Sequence, residues 1–192
     1  NRNILDLTVE HEEIVYNYEA PNNGSHPFWC HGNAILVRNG DDVVVSGIET
    51  LKKYKPLNNV RWLLYKRGHD GWQLQQADEK DRTREPSPIG ILSDGRLLMS
   101  VNPTIETDIE KYSTKNDPRV LEFSFRNLKS SYSTLLPEWE GKPPFTEHSY
   151  RTFSVDRGNN EFILFQNIGY THSEWVFYDR EGKWHTGQLL WD

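Results

Sequence analysis

The amino-acid sequence predicts an all-β protein, and its composition, its repeated turn motifs and its lack of helical patterns support this prediction. The 192 residues include seven Trp, nine Tyr and eight Phe, which are residue types that favour strands. Thirteen Gly and ten Pro provide turns between strands. Only residues 105–112 have a helix-like composition, and they lie in a charged connection. We therefore expect short strands joined by tight turns.

Three stretches of the chain share one plan, in which a strand, a polar turn and a second strand follow each other. These stretches are residues 35–50, 89–104 and 151–171. Gly and Asn tolerate the positive φ angles that tight hairpin turns require. Such residues occupy the three turns, which read Asn39-Gly40, Asp94-Gly95 and Arg157-Gly158-Asn159-Asn160. The pattern predicts three β-hairpins.

A second pair of strands follows each hairpin, so that every unit contains four strands. These pairs cover residues 61–75, 120–135 and 174–189. Their alignment places a large aromatic residue at equivalent positions, namely Trp72, Tyr132 and Trp184. A four-stranded repeat of this length is typical of β-propeller blades, which stack around an axis. We predict blades over residues 28–80, 81–140 and 141–192.

Three blades do not close a ring, because propellers need at least about four blades. Residues 5–18 resemble the outer strands of a preceding, incomplete blade, so residues 1–27 are expected to be the end of that blade and a linker. The chain begins with Asn1, which indicates either a removed leader or a position inside a longer protein. The alternative fold is a two-sheet sandwich, which does not predict the four-strand repeat.

Charge and cysteine content exclude several classes of function. The net charge is −6 without a basic stripe, so a nucleic-acid partner is not expected. No apolar run is long enough to span a membrane, so we expect a soluble chain without a membrane partner. The single cysteine, Cys30, excludes an internal disulfide and a Cys-rich zinc site. We expect neither a cofactor nor a bound metal.

Two segments carry a resemblance to a known family. The segments DREGKW (residues 179–184) and HDGW (residues 69–72) resemble the Asp-box turn, Ser-x-Asp-x-Gly-x-x-Trp, although both lack the serine. In the first segment the glycine also lies one position late. From Phe28 onward the chain resembles the sialidase-like, BNR-repeat superfamily. This superfamily has six- or seven-bladed propellers and includes sialidases, other glycosidases and lyases of uronate polysaccharides.

The resemblance implies an active site where the innermost strand of each blade begins. Those starts cover residues 29–33, 82–87 and 146–151. Arginine pairs well with carboxylates in a bidentate geometry, so Arg84 and Arg151 are candidates to clamp one anionic group of a sugar. The alternative is a salt bridge between blades, in which Arg84 pairs with Glu85 or Arg151 pairs with Glu147.

Four residues are candidates for catalysis. In sialidases a glutamate activates a tyrosine nucleophile, and Glu147, His148 and Tyr150 provide these residue types. Along one strand, however, Glu147 and Tyr150 would point to opposite faces. A lyase would instead use Tyr150 with His31 or His148 as the acid and base of a β-elimination. Four polar residues besides the two arginines are candidates for substrate binding: Asn33, Glu85, Tyr170 and His172.

The resemblance and the candidate residues together predict a carbohydrate-active protein. The first expectation is a glycoside hydrolase acting on an acidic or otherwise substituted sugar, and the alternative enzyme is a uronate-polysaccharide lyase. A non-catalytic propeller could bind glycan or protein instead, with Trp29, Tyr170 and Trp175 as stacking surfaces. Self-association is a further expectation, because it could close the ring. The resemblance is compatible with a secreted or periplasmic protein, and the residues themselves do not decide between those compartments and the cytoplasm.

Overall fold

The structure is a computed structural model that describes residues 7–29, 33–141, 143–149 and 151–190. These residues form twelve β-strands, and none of them lies in a helix. The strands are β1 (Leu36–Asn39), β2 (Asp42–Thr50), β3 (Val60–Gly68), β4 (Gly71–Ala77), β5 (Ile89–Ile91), β6 (Arg96–Val101), β7 (Arg119–Ser124), β8 (Ser133–Leu135), β9 (Arg151–Asp156), β10 (Glu161–Ile168), β11 (His172–Tyr178) and β12 (Trp184–Leu190).

The strands form three four-stranded sheets, and each sheet uses four consecutive strands. The first sheet has the order β1-β2-β3-β4, the second β5-β6-β7-β8 and the third β9-β10-β11-β12. Every neighbouring pair is antiparallel. The prediction of an all-β chain with three hairpins, each followed by a further strand pair, is confirmed, and the architecture is blade-like.

The residues that predicted the hairpin turns adopt the backbone conformations that such turns require. Gly40 has a φ of 63° between β1 and β2, and Gly95 has a φ of 90° between β5 and β6. Asn160 has a φ of 59° at the end of the turn that follows β9. Gly and Asn occupy this region at little steric cost, so the turn chemistry fixes where each hairpin reverses.

The second sheet lies between the other two, and its two faces contribute to separate apolar clusters. Because successive residues of a strand point to opposite faces, Met99 of β6 packs with Trp62 of the first sheet, while Leu98 packs with the third sheet. The second cluster includes Phe153 and Leu164 of the third sheet. These two interfaces form the hydrophobic core of the described chain.

Aromatic residues near the last strands of the second and third sheets pack against the two apolar clusters between the sheets. Tyr132 of the second sheet makes an edge contact with Trp62 of the first sheet, with ring centroids 5.9 Å apart. Trp184 lies within the second apolar cluster and contacts Phe162 at 5.6 Å and Tyr178 at 4.7 Å. Two of the three aligned aromatic residues, Tyr132 and Trp184, thus pack against the apolar clusters between the sheets.

The first hairpins of the three sheets contact each other. The Ile89 amide of β5 donates to the Ala34 carbonyl just before β1, at 2.8 Å. The Asn33 side chain donates to the Arg151 carbonyl at 3.0 Å and accepts from the Phe153 amide at 2.8 Å. The first strands of all three sheets are therefore joined near the end where they begin.

The segment of residues 7–20, called the strap below, corrects one expectation. Residues 7–18 form no strand, so the expected outer strands of a preceding blade are absent there, and residues 5 and 6 lie outside the described part.

The strap instead lies on the outer face of the first sheet, where the Tyr16 ring stacks on Tyr65 at 5.1 Å. The Tyr16 hydroxyl accepts a hydrogen bond from the Ile48 amide at 3.0 Å. Gly47 makes this contact feasible, because a Cβ there would lie 2.7 Å from the Tyr16 ring. Side-chain contacts therefore hold the strap without strand pairing.

Candidate functional site

Both predicted anion-binding arginines point at a carboxylate of the chain itself. Arg84 Nη1 lies 3.3 Å from Glu85 Oε1, and Arg151 Nη1 lies 3.6 Å from Glu85 Oε2. The three side chains are almost completely buried, with exposed fractions of 7% for Arg84, 1% for Glu85 and 2% for Arg151. The expected pairing of Arg84 with Glu85 is present, whereas Arg151 pairs with Glu85 and not with Glu147.

Backbone carbonyls fix the orientation of both arginines. Arg84 Nε donates to the Asn23 carbonyl at 3.1 Å, and Arg151 Nη2 donates to the Pro86 carbonyl at 2.7 Å. The Arg84 guanidinium also lies 5.9 Å from the Trp29 ring. This ionic cluster thus joins the segment before β1, the start of the second sheet and the start of the third. Asn33 belongs to the same junction, because it holds the backbone of Arg151.

The carboxylate of Glu147 is buried in a ring of donors. Ser113 Oγ donates to it at 2.8 Å, the Thr114 amide at 2.9 Å, and His148 Nδ1 lies 3.0 Å from it. Burial acts to raise the pKa of Glu147, but the hydrogen bonds from Thr114, Ser113 and His148 leave the pKa below its ordinary value. Glu147 is therefore an ionised group that orients its neighbours.

His148 is the accessible member of this pair, since 48% of its side chain is exposed while only 1% of the Glu147 side chain is. When Nδ1 carries the proton and donates to Glu147, Nε2 carries the lone pair of the neutral ring. A buried carboxylate that fixes the tautomer of an imidazole is the arrangement of a general base and its orienting group. The His148–Glu147 pair can therefore accept and return a proton.

A second histidine–glutamate pair lies at the start of β11. His172 Nε2 lies 3.0 Å from Glu174 Oε1, and His172 Nδ1 lies 2.8 Å from the Thr171 hydroxyl. Gln188 Nε2 also donates to Glu174 Oε1 at 2.8 Å. Tyr170 lies in the preceding turn and is 92% exposed, so it does not share this packed environment. His172 is thus held by its own network.

A buried polar row connects the Glu174 pair with the ionic cluster. Arg151 of β9 lies opposite Gln166 of β10, and Gln166 lies opposite Glu174 of β11. All three side chains are buried, yet within the described part of the chain Arg151 Nε, both amide atoms of Gln166 and Glu174 Oε2 have no hydrogen-bond partner. The next row of the same sheet is apolar and consists of Phe153, Leu164 and Val176. The polar row is therefore a local exception within an apolar interface.

Sequence reasoning missed Gln166 and did not include Glu174 among the site residues. A signal for Gln166 was present, because it interrupts the buried alternation of Phe162, Leu164 and Ile168 along β10. Glu174 follows a histidine by two residues on the same strand face, which was the signal for their contact.

Two predicted catalytic residues, His31 and Tyr150, lie outside the described residues. The described candidates fall into three groups. Arg84, Glu85, Arg151 and Asn33 meet at the junction of the sheets, Glu147 and His148 form one pair, and His172 joins the row through Glu174. Within the described residues, no group of three or more His, Cys, Asp or Glu side chains has the geometry to hold a metal ion. The part of the chain that the structure describes also contains no helix able to cross a membrane.

Comparisons with known proteins do not extend these observations. No protein-family model matches the chain, and a search of curated proteins finds no significant match.

Proposed function

We propose that the three sheets are blades of a sialidase-like β-propeller. Three four-stranded sheets of consecutive strands and the contacts among their first hairpins support this proposal. The turn between β11 and β12 supports it too. Asp179 Oδ1 accepts from the amides of Glu181 and Lys183 at 2.9 Å, and Gly182 has a φ of 80°. Further blades, from a longer chain or from a second copy of this chain, would complete the ring.

We propose further that the protein acts on an acidic polysaccharide and that His148 transfers the proton. The His148–Glu147 pair is the observation that carries this proposal. Glu147 and Glu174 are buried and engaged by donors, so neither presents a carboxylate to attack a sugar carbon. The accessible groups are imidazoles, and this favours β-elimination over hydrolysis by a pair of carboxylates.

In this reaction His148 Nε2 removes the proton next to the uronate carboxylate. The electron pair of the broken C–H bond forms a carbon–carbon double bond, and the bond to the leaving glycosidic oxygen breaks. An acid then gives a proton to that oxygen. Glu147 stabilises the imidazolium that forms, in the way that a buried carboxylate does in other histidine-dependent enzymes.

The test uses polygalacturonate and chondroitin as substrates and follows two signals. A rise in ultraviolet absorbance reports the unsaturated product of elimination, whereas new reducing ends without that rise report hydrolysis. We expect His148→Gln to lower the rate by at least about a hundredfold. His69→Gln is the matched control, because His69 is a fully exposed turn residue. Full activity of His148→Gln would overturn the role of His148, and reducing ends without absorbance would restore the hydrolase expectation.

The second candidate is an acidic-glycan-binding propeller without turnover. The specific observation in its favour is the 92% exposed Tyr170 ring, which offers a stacking surface to a sugar. Saturable binding of either polysaccharide, with neither product signal over a prolonged incubation, would favour this function. Release of product would exclude it.

A further inference from the structure

A polar cleft of about 450 Å³ lies between three loops, away from the residues discussed so far. The loop between β2 and β3 contributes Tyr54, the segment before β5 contributes Lys80 and Arg82, and the loop between β6 and β7 contributes Ile105 and Ile109. The first two sheets thus form the walls of the cleft together.

Arg82 is fixed in this cleft by backbone carbonyls. Its Nη1 donates to the Asn58 carbonyl at 2.9 Å, and its Nη2 donates to the carbonyls of Glu106 and Asp108 at 3.0 and 3.3 Å. The guanidinium also lies 4.5 Å above the Tyr54 ring, which favours a cation. Arg82 is therefore buried and held in one orientation before any ligand arrives.

No carboxylate of the described chain forms an ion pair with Arg82, in contrast to Arg84. Burial lowers the pKa of Arg82, so its positive charge has lost solvation that an anion could replace. The nearby Tyr54, Glu106 and Asp108 side chains offset this loss only in part. A bound carboxylate would offset it further: Nη2 already donates to two carbonyls, but the remaining N–H groups on Nε and Nη1 can form charge-assisted hydrogen bonds with an anion.

The acidic residues that line the cleft already have cationic partners. Asp81 pairs with Arg119 at 3.4 Å, and Glu106 pairs with Lys111 at 2.5 Å. Lys80, in contrast, is exposed at the rim and has no ion pair among the described residues. Among the charged residues that line the cleft, Arg82 and Lys80 are therefore the two without an ion pair in the described part of the chain.

Two exposed isoleucines form an apolar part of the cleft wall. Ile105 and Ile109 are 56% and 43% exposed, and they line the same space as Arg82. An apolar wall beside an oriented cation fits a ligand that carries an anionic group on a ring with C–H faces.

We infer that this cleft binds a carboxylate-bearing sugar, with the carboxylate on Arg82 and Lys80 and the ring against Ile105 and Ile109. The carboxylate follows from the cleft alone, whereas the choice of a sugar rests on the proposed function. His148 does not line the cleft, so binding here and turnover can be measured separately.

The experiment titrates the protein with D-glucuronate and with D-glucose and follows binding by calorimetry. We expect saturable binding of glucuronate and none of glucose at the same concentrations. Lys80→Glu should weaken glucuronate binding about fivefold, because it reverses an exposed charge at the rim. Lys183→Glu, a surface change in the third sheet, should leave the affinity unchanged. Arg82→Lys keeps the charge but removes the planar fork, so it should weaken binding more than Lys80→Glu does.

Two outcomes would overturn the inference. One is equal binding, or no binding, of glucuronate and glucose. The other is an equal effect of Lys80→Glu and Lys183→Glu, which would indicate non-specific attraction. The Lys80 variants keep the test informative even if Arg82→Lys fails to fold. If glucuronate binds but no product forms, the inference about the cleft holds and the proposed activity is wrong. If product forms but glucuronate does not bind, the proposed activity holds and the inference about the cleft is wrong.

Discussion

Gln166 lies directly opposite Glu174 on neighbouring strands, and both side chains are buried while three of their four polar atoms have no hydrogen-bond partner among the described residues. A buried amide without a hydrogen bond costs roughly 1–3 kcal/mol. The remaining contacts of the interface, such as Leu164 and Val176, are apolar. The arrangement therefore lowers the stability of the third sheet at this row.

This relationship predicts that Gln166→Leu stabilises the protein. Leucine has a similar length and adds no unpaired polar atom, so the free energy of unfolding in urea should rise by about 1–3 kcal/mol. Gln73→Leu, at an exposed position of β4, is the control and should change the value by less than about 0.5 kcal/mol. If Gln166→Leu is destabilising, an internal partner such as ordered water holds the amide.

The ionic cluster predicts a large effect of Glu85→Gln. This change removes the negative charge that the buried guanidinium groups of Arg84 and Arg151 both face, and the expected loss of stability is about 3–5 kcal/mol. Glu181→Gln breaks an exposed pair with Lys183 and should cost at most about 1 kcal/mol. Chemical denaturation of both variants measures the difference. Equal, small losses would show that Glu85 does not neutralise the arginines.

The pKa of Glu147 predicts how stability depends on pH. A carboxyl group whose pKa is lowered in the folded state from its ordinary value of 4.5 stabilises the fold above that pH and loses this contribution as pH falls through the folded pKa. The native chain should therefore have a higher free energy of unfolding than Glu147→Gln at pH 7, and this difference should decrease as the pH falls below 4.5. Denaturation curves measured across this range test the prediction.

Ser113→Ala is a second variant for the same test. It removes one of the hydrogen bonds that lower the pKa of Glu147, so its acid sensitivity should lie between those of the native chain and Glu147→Gln. Parallel pH profiles of all three proteins would contradict the assignment.

The packing between the second and third sheets predicts that Gly90→Ala is destabilising. A Cβ at position 90 would lie 2.2 Å from Cγ2 of Val155, so the sheets would have to separate, at a cost of about 1–3 kcal/mol. Gly158→Ala is the control, because a Cβ there would lie 3.4 Å from the exposed Asp156 carboxylate. Thermal unfolding measures both. Truncation of Val155 to Ala in the Gly90→Ala background should recover part of the loss, and its failure to do so would argue against this contact.

Much of the fold was predictable because its determinants are local. Gly40, Gly95 and Asn160 place the hairpin turns through their backbone preferences, and alternating apolar residues define the strands between them. The strap was not predictable in the same way. Its residues have strand-like composition, but the space above Gly47, which a side chain there would fill, lets the Tyr16 ring pack on the sheet.

The candidate site was predictable as a set of residues but not as a set of partners. The sequence indicated that Arg84, Arg151, Glu147, His148 and His172 carry the polar chemistry. It left open which carboxylate each cation would meet, because an arginine side chain can reach several carboxylates from one strand start. Gln166 was missed because a single polar residue in an apolar alternation has no partner until the neighbouring strands are placed.

The sequence by itself determined the strands, the turns and the grouping of four strands into each sheet, since these depend on contacts between residues that are close along the chain. Only the tertiary structure decided that Glu85 lies between two arginines, that the glutamates beside His148 and His172 are buried, and that Arg82 lies in a cleft where no carboxylate of the described residues forms an ion pair with it. Arg151 and Glu85 come from different parts of the chain, and in all of these contacts the energy depends on burial, which exists only once the sheets have packed.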